Sequence, residues 1–234
     1  MSAASSHQSK LSKSGPLVSI IVATFNQERF IGRCLRSLLH QTMSHQDYEV
    51  IVVNDGSTDR TNYALELFCD PFESVVKVIT NETNLGLPAS INIGLHASRA
   101  PYVVRIDSDD FVNNNFLSFL HFYLEANDYV DAVACDYLLL DDEERILGRG
   151  NCADDPIACG IMFHKEHLFN IGLYDESFRY HEERELRIRF EKKYNIHRLE
   201  LPLYRYRRHD SNITNNSEEM ERYQRNLNDK HGIK

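Results

Sequence analysis

From residue 17 onward the apolar positions fall into two recurring patterns. Residues 18–23 form an unbroken, largely β-branched run, as expected of a strand covered on both faces of a parallel sheet. Over residues 28–40, Phe30, Ile31, Cys34, Leu35, Leu38 and Leu39 recur as pairs along one helical stripe, which predicts a helix with Asn26 capping its start. A second buried strand covers 48–53, a helix begins near Asp59, and a third strand covers 75–80. Leu87, Ala89, Ile91, Ile93, Leu95 and Ala97 alternate strictly, which by period alone says strand. Pro88 in a first helical turn and the need for a crossover say helix, the reading adopted here. A strand over 102–106, an amphipathic helix through Phe116, Leu117, Leu120, Tyr123 and Leu124, and a strand over 132–140 complete the regular part.

Strands alternating with helices through short polar turns imply α/β architecture with parallel βαβ units. Right-handed crossovers then place every strand's C-terminal end along one edge, where ligands of open sheets bind. After an acidic turn at 141–144 the alternation stops. Segments 151–163, 171–178 and 202–209 read as loops and short strands around one helix beginning near Glu182. The implied organisation is a polar tail over 1–15, one domain over 16–216, and a helical or mobile C-terminal tail over 217–234 that binds a partner or is solvated.

At 234 residues and 27.2 kDa the chain can bury a full core without disulfide staples. Its 26 basic and 35 acidic residues give a net charge of −9, which argues against nucleic-acid binding unless a cation or local basic patch intervenes. Five cysteines without CxxC spacing read as reduced thiols in a cytoplasmic protein. The polar N-terminus lacks the apolar stretch of a signal peptide, and no run is long enough to span a membrane.

The strand ends carry the candidate chemistry: Thr24-Phe25-Asn26, Asn54-Asp55-Gly56-Ser57 and Asp107-Ser108-Asp109-Asp110. One acid after a strand serves equally well as a turn former or helix cap. Three carboxylates within four residues repel one another unless they share a cation, and oxygen ligands of this kind suit Mg²⁺ or Mn²⁺ holding a substrate phosphate. Arg105, inside an apolar strand, calls for a carboxylate partner at the site or elsewhere.

Five segments, VSIIVATFNQERFIGRCLRSLLHQT, YEVIVVNDGSTDRT, NLGLPASINIGLHAS, YVVRIDSDD and IGLYDESFRYHEERELRIRF, together resemble the successive motifs of family 2 glycosyltransferases of the GT-A fold. The resemblance runs from Val18 to about Thr214. It implies a metal-dependent inverting transferase that moves a sugar from a nucleotide-diphosphate donor, most often a UDP-sugar, to a hydroxyl of a glycan or lipid-linked acceptor. The lipid-linked case implies peripheral contact with the inner face of the membrane. By the same resemblance Thr24, Phe25, Asn26 and Asp55 cradle the nucleoside, and Asn84 and Gly86 form a turn near it. Asp107 lies by the ribose with Ser108 beside it, and Asp109 ligates the metal. His209 is a further metal or diphosphate ligand, with Arg205, Arg207 and Arg208 adding positive charge. Asp110 is either an acid backing the metal ligand or a helix cap, and is read here as the cap. The second acid of the family's ED-x-x-L motif is the base, which falls on Glu183. A helix-face argument points Glu183 toward the sheet and turns Glu182 away. Glutamate in place of the family's usual aspartate keeps Glu182 as the alternative. The segments 159–163 and 172–175 match acceptor-side elements.

Two other classes compete. A haloacid dehalogenase-type phosphatase also ends a strand in DxD, but Phe111 stands where that motif has Thr or Val, and the motif is not N-terminal. A noncatalytic nucleotide-sugar binder would keep the donor pocket and lose the base.

Overall fold

The computed structural model describes residues 15–69, 71–209 and 217–233, so the tail expected over 1–15 lies almost wholly outside the described residues. The first half builds as its patterning dictates: β1 (Val18–Thr24), α1 (Ile31–Leu39), β2 (Tyr48–Asn54), α2 (Thr61–Cys69), β3 (Val76–Thr80), α3 (Leu87–Ala97) and β4 (Tyr102–Arg105). The four strands are parallel in the order β3-β2-β1-β4. Their continuous apolar runs are explained by cover on both sides. Ile20 and Val22 pack with Ile31, Leu35 and Leu38 of α1, whereas Ile21 packs on the other face with Ile91 and Leu95 of α3. Each such side chain contributes roughly 1.5–3 kcal/mol of burial.

The 87–97 segment is a helix, with Pro88 in its first turn. Its period-two appearance arises because it is buried on most of its circumference. Gly94 lets it approach β1 so closely that a Cβ there would lie 2.5 Å from Ile21 Cγ2. The first helix begins at Ile31 rather than 28, with Phe30 at its N-cap position, so Asn26 does not cap it.

The second half joins β4 through an antiparallel strand, β8 (Ile161–His164). Beside β8 runs β6 (Ala132–Leu140), which also pairs with β7 (Ile146–Gly150) and, in parallel, with β9 (Ile196–Arg207). Strand β9 pairs in turn with the short β5 (Phe111–Val112). Helices α4 (Phe116–Glu125), α5 (Lys165–Asn170) and α6 (Glu182–Phe190) cover the sheet. The nine described strands thus form one mixed sheet.

Strand β9 was expected only as short pieces, and α5 was not expected. Two register irregularities at Asp136, where β9 inserts extra residues around Pro202, break the alternation that would have revealed it. The C-terminal α7 (Ser217–His231) docks on the domain, burying Tyr223 and Leu227 against Phe178. Its Lys230 Nζ lies 2.6 Å from both Asp175 and Glu185. Among the described residues no helix is long and apolar enough to cross a membrane. Cys34, Cys135, Cys152 and Cys159 are buried free thiols.

Candidate active site

The parallel register aligns Thr24 with Asn54 and Asn54 with Thr80, so the loops after β1, β2 and β3 leave the sheet at one level. They are stitched together there. Asn26 takes a left-handed backbone (φ 53°), and its Oδ1 accepts from Thr58 N at 2.8 Å, while its own N–H donates to Ser57 Oγ at 3.0 Å. The residue expected to cap α1 thus binds the β2 loop. Asp55 is 3% exposed and faces the 81–86 segment: Oδ1 accepts from Asn81 Nδ2 at 2.8 Å and Leu85 N at 2.9 Å, and Oδ2 from Gly86 N at 2.9 Å. The β2 loop therefore fixes the turn that carries Asn84 and Gly86. Gly56 (φ 72°) is required at this crossing, since a Cβ would lie 2.8 Å from the Thr83 carbonyl carbon.

The DxD loop leaves β4 after Ile106, whose N–H donates to Ile21 O. Arg105 Nε donates to Asp107 Oδ1 at 2.8 Å. Asp109 Oδ2 lies 3.0 Å from His209 Nε2, and the His209 ring stacks on Phe30. Asp110 is not a helix cap. It is buried beneath β9, where Oδ2 accepts from Tyr204 Oη at 2.8 Å and Oδ1 from Arg207 N at 2.7 Å. Arg207 Nε adds a bond to Asp109 O at 3.0 Å. Burial, reinforced by Asp109 and Asp107, pushes the Asp110 carboxyl well up from the ordinary aspartate range. Strand β9 thus shapes the DxD loop, and Tyr204 is the functional-site residue that sequence reading missed. Of the three arginines, Arg207 is buried in this anchor, Arg205 donates to the Pro202 and Tyr204 carbonyls, and Arg208 lines the cleft described below.

Two donor sets lie near the loop. Asp107, Asp110 and Cys159 bring one ligand atom each within 4.8 Å of one another. Burial raises both the Asp110 carboxyl and the Cys159 thiol, and Asp110 is already engaged by β9, so this trio is a poor seat for a hard cation. Asp109 and His209 offer a carboxylate oxygen and an imidazole nitrogen, a set whose chemistry fits Mn²⁺.

Helix α6 begins after His181, a left-handed residue (φ 58°) that turns the chain sharply into the cleft. Glu182 is 5% exposed and points inward to Arg105, with Nη1 to Oε1 at 2.9 Å. This corrects the expectation that Glu182 turns away. Glu182 shares the buried face with Glu185 and Leu186, three and four residues on, and Glu183 lies one step further round the helix. Burial pushes the Glu182 carboxyl up to about 7, opposed by Arg105 and reinforced by Glu183. Glu183 is half-buried and makes no hydrogen bond among the described residues.

These pieces surround one cleft of about 810 Å³. Thr24, Phe25, Asn26, Asp55, Asn84, Gly86, Asp107, Ser108, Asp109, Glu182 and Glu183 all line it, and His209 stands behind Asp109. Arg105, Arg179 and, from α7, Met220 are among its other lining residues. The Thr24 hydroxyl is buried without a hydrogen-bond partner among the described residues.

A parallel nucleotide-type half joined to a mixed half, with a DxD loop between them, is the GT-A architecture. The Glycosyl transferase family 2 model matches residues 19–197, and the chain belongs to that family. An uncharacterised glycosyltransferase of Haemophilus influenzae is 39% identical over 118 residues, covering 50% of this chain and 36% of that protein. The poly(ribitol-phosphate) β-N-acetylglucosaminyltransferase TarS of Staphylococcus aureus is 34% identical over 133 residues, 56% of this chain and 22% of its own. The chain thus spans about a third or less of these relatives' length. The structure of TarS residues 1–349 with UDP-GlcNAc superposes with a TM-score of 0.74 at 21% identity, over 90% of this chain and 65% of that one. The mannosyltransferase PcManGT of Pyrobaculum calidifontis, solved with GDP-Man and Mn²⁺, gives 0.73 at 16% identity, over 95% and 66%.

Proposed function

We propose that the protein transfers a sugar from a UDP-sugar to an acceptor hydroxyl with inversion, in the synthesis of a glycan or lipid-linked glycan. The observation that carries this reading is the convergence, on one cleft, of the β1 and β2 loops, the DxD loop and the two acids that open α6. The volume, about 810 Å³, suits a nucleotide sugar with part of an acceptor. TarS with UDP-GlcNAc supports a uridine donor, and the Mn²⁺ in PcManGT supports a divalent ion.

Within the cleft the β1 and β2 loops hold the nucleoside end. Asp109 and His209 would hold Mn²⁺ or Mg²⁺, which when bound supplies positive charge against the departing diphosphate. Glu183 is the base: its carboxylate has no hydrogen-bond partner among the described residues, lines the cleft, and accepts the proton of the acceptor hydroxyl as the oxygen attacks the anomeric carbon. A single displacement inverts the configuration there.

The test combines binding and turnover. Mn²⁺ with UDP should raise the melting temperature more than either alone. A UDP-sugar should release UDP slowly in the presence of Mn²⁺. Absence of any stabilisation by UDP, GDP or dTDP with Mn²⁺ overturns the donor site. Binding without release for any sugar nucleotide favours the noncatalytic binder.

A further inference from the structure

We propose that Arg105 is a positioning residue, whose one buried guanidinium fixes the donor-side Asp107 and the acceptor-side Glu182 and thereby sets the direction in which Glu183 faces the cleft. The proposal rests on the transferase reading above and adds a role that the motifs do not assign.

Arg105 stands in β4 among Val103, Val104 and Ile106, all buried, and its own side chain is 6% exposed. A charge in such a place needs compensation. It receives it from two separate parts of the fold: Nε reaches Asp107 Oδ1 at 2.8 Å, and Nη1 reaches Glu182 Oε1 at 2.9 Å. The planar fork makes both bonds at once, which a lysine ammonium on its flexible stem does not reproduce. Glu182 is the first residue of α6, immediately after the left-handed turn at His181. Holding its carboxylate fixes the rotation of the first helical turn, and successive residues there point about 100° apart around the axis. With Glu182 tied inward, Glu183 is the acid left to meet an acceptor.

The experiment uses the full chain with Mn²⁺ and either UDP-glucose or UDP-N-acetylglucosamine, reading kcat and KM separately. Arg105→Gln should lower kcat roughly 100-fold, the scale of a misplacement of about 1 Å, with donor KM changed by less than about threefold. Arg105→Lys should lose about tenfold. Where Arg105→Gln does not fold, the double variant Arg105→Gln/Glu182→Gln replaces it, since it leaves no buried carboxylate at 182 unpaired, and should show the same kcat loss. Adding Glu182→Gln to a folded Arg105→Gln should cost little more, because both act through one bond. Unchanged kcat in a folded Arg105 variant overturns the proposal, as does a loss confined to KM or to UDP binding. A wild type without turnover on any sugar nucleotide overturns the transferase reading instead. The positioning bond itself is then read by NMR of [¹⁵N]arginine-labelled protein. Slowly exchanging Arg105 side-chain protons that move on both Asp107→Asn and Glu182→Gln support it, and signals of a freely rotating guanidinium overturn it.

Discussion

His209 Nε2 lies 3.0 Å from Asp109 Oδ2, a link between residues one hundred positions apart that closes the end of β9 onto the DxD loop. If the pair is a cation site, His209→Ala should weaken Mn²⁺ binding by roughly 10–100-fold. Calorimetric titration of UDP with and without Mn²⁺ checks this: metal-free UDP affinity stays put, and the enhancement by Mn²⁺ shrinks.

Glu183→Gln keeps the shape of the side chain and removes its ability to take a proton. Turnover should fall at least about 100-fold while UDP affinity is retained. Equal turnover in the variant would move the base elsewhere.

Gly56→Ala should be costly twice over, through its positive φ and through the contact its Cβ would make with the Thr83 backbone. We expect about 1–3 kcal/mol of destabilisation, measured by urea unfolding. UDP affinity should weaken as well, because the Asn84–Gly86 turn is displaced.

Thr24→Val replaces a buried hydroxyl that has no hydrogen-bond partner among the described residues by a methyl group of similar size. The ligand-free protein should be as stable or more so, and UDP should bind about tenfold more weakly if that hydroxyl serves the nucleoside. Unchanged affinity would remove Thr24 from the donor site.

Asp136 is one source of acid sensitivity, beside Glu49, Asp175 and Glu185, which are also held below their ordinary range. Its hydrogen bonds to Arg198 (2.9 and 2.8 Å), aided by Arg149 at 2.7 Å, hold its carboxyl well below the ordinary value of 3.8. The folded state therefore binds this proton less readily than the unfolded chain. The contribution is complete above about pH 4 and is lost as pH falls below it. Both arginines are partly exposed, so Asp136→Asn should cost only about 2 kcal/mol at pH 7, and thermal melts should show a shallower decline in acid.

The parallel half was legible because each of its strands is a predominantly apolar run ending in a polar turn, and the register converts those turns into one site. Even α3, ambiguous by period, yielded to Pro88 and the crossover requirement. What escaped was set by long-range contacts. Asp110 looked like a local cap because Tyr204 and Arg207 lie far away in a strand whose irregular register hides it. Glu182 looked peripheral because Leu186 and Phe190 also lie three and seven residues after Glu183; burial of Glu185, which marks the face that Glu182 shares, depends on Arg189 and on Lys230 of α7. Arg105 announced itself as a charge that required a partner, but nothing local could say that it had two.

The seam between β4 and β8 is only three residue pairs long, and it joins the parallel socket to an outlying wall. That wall delivers two things to the socket: an acid to Arg105 and a clamp to Asp110. A change elsewhere in the outlying portion that spares both deliveries should leave the shape of the socket intact.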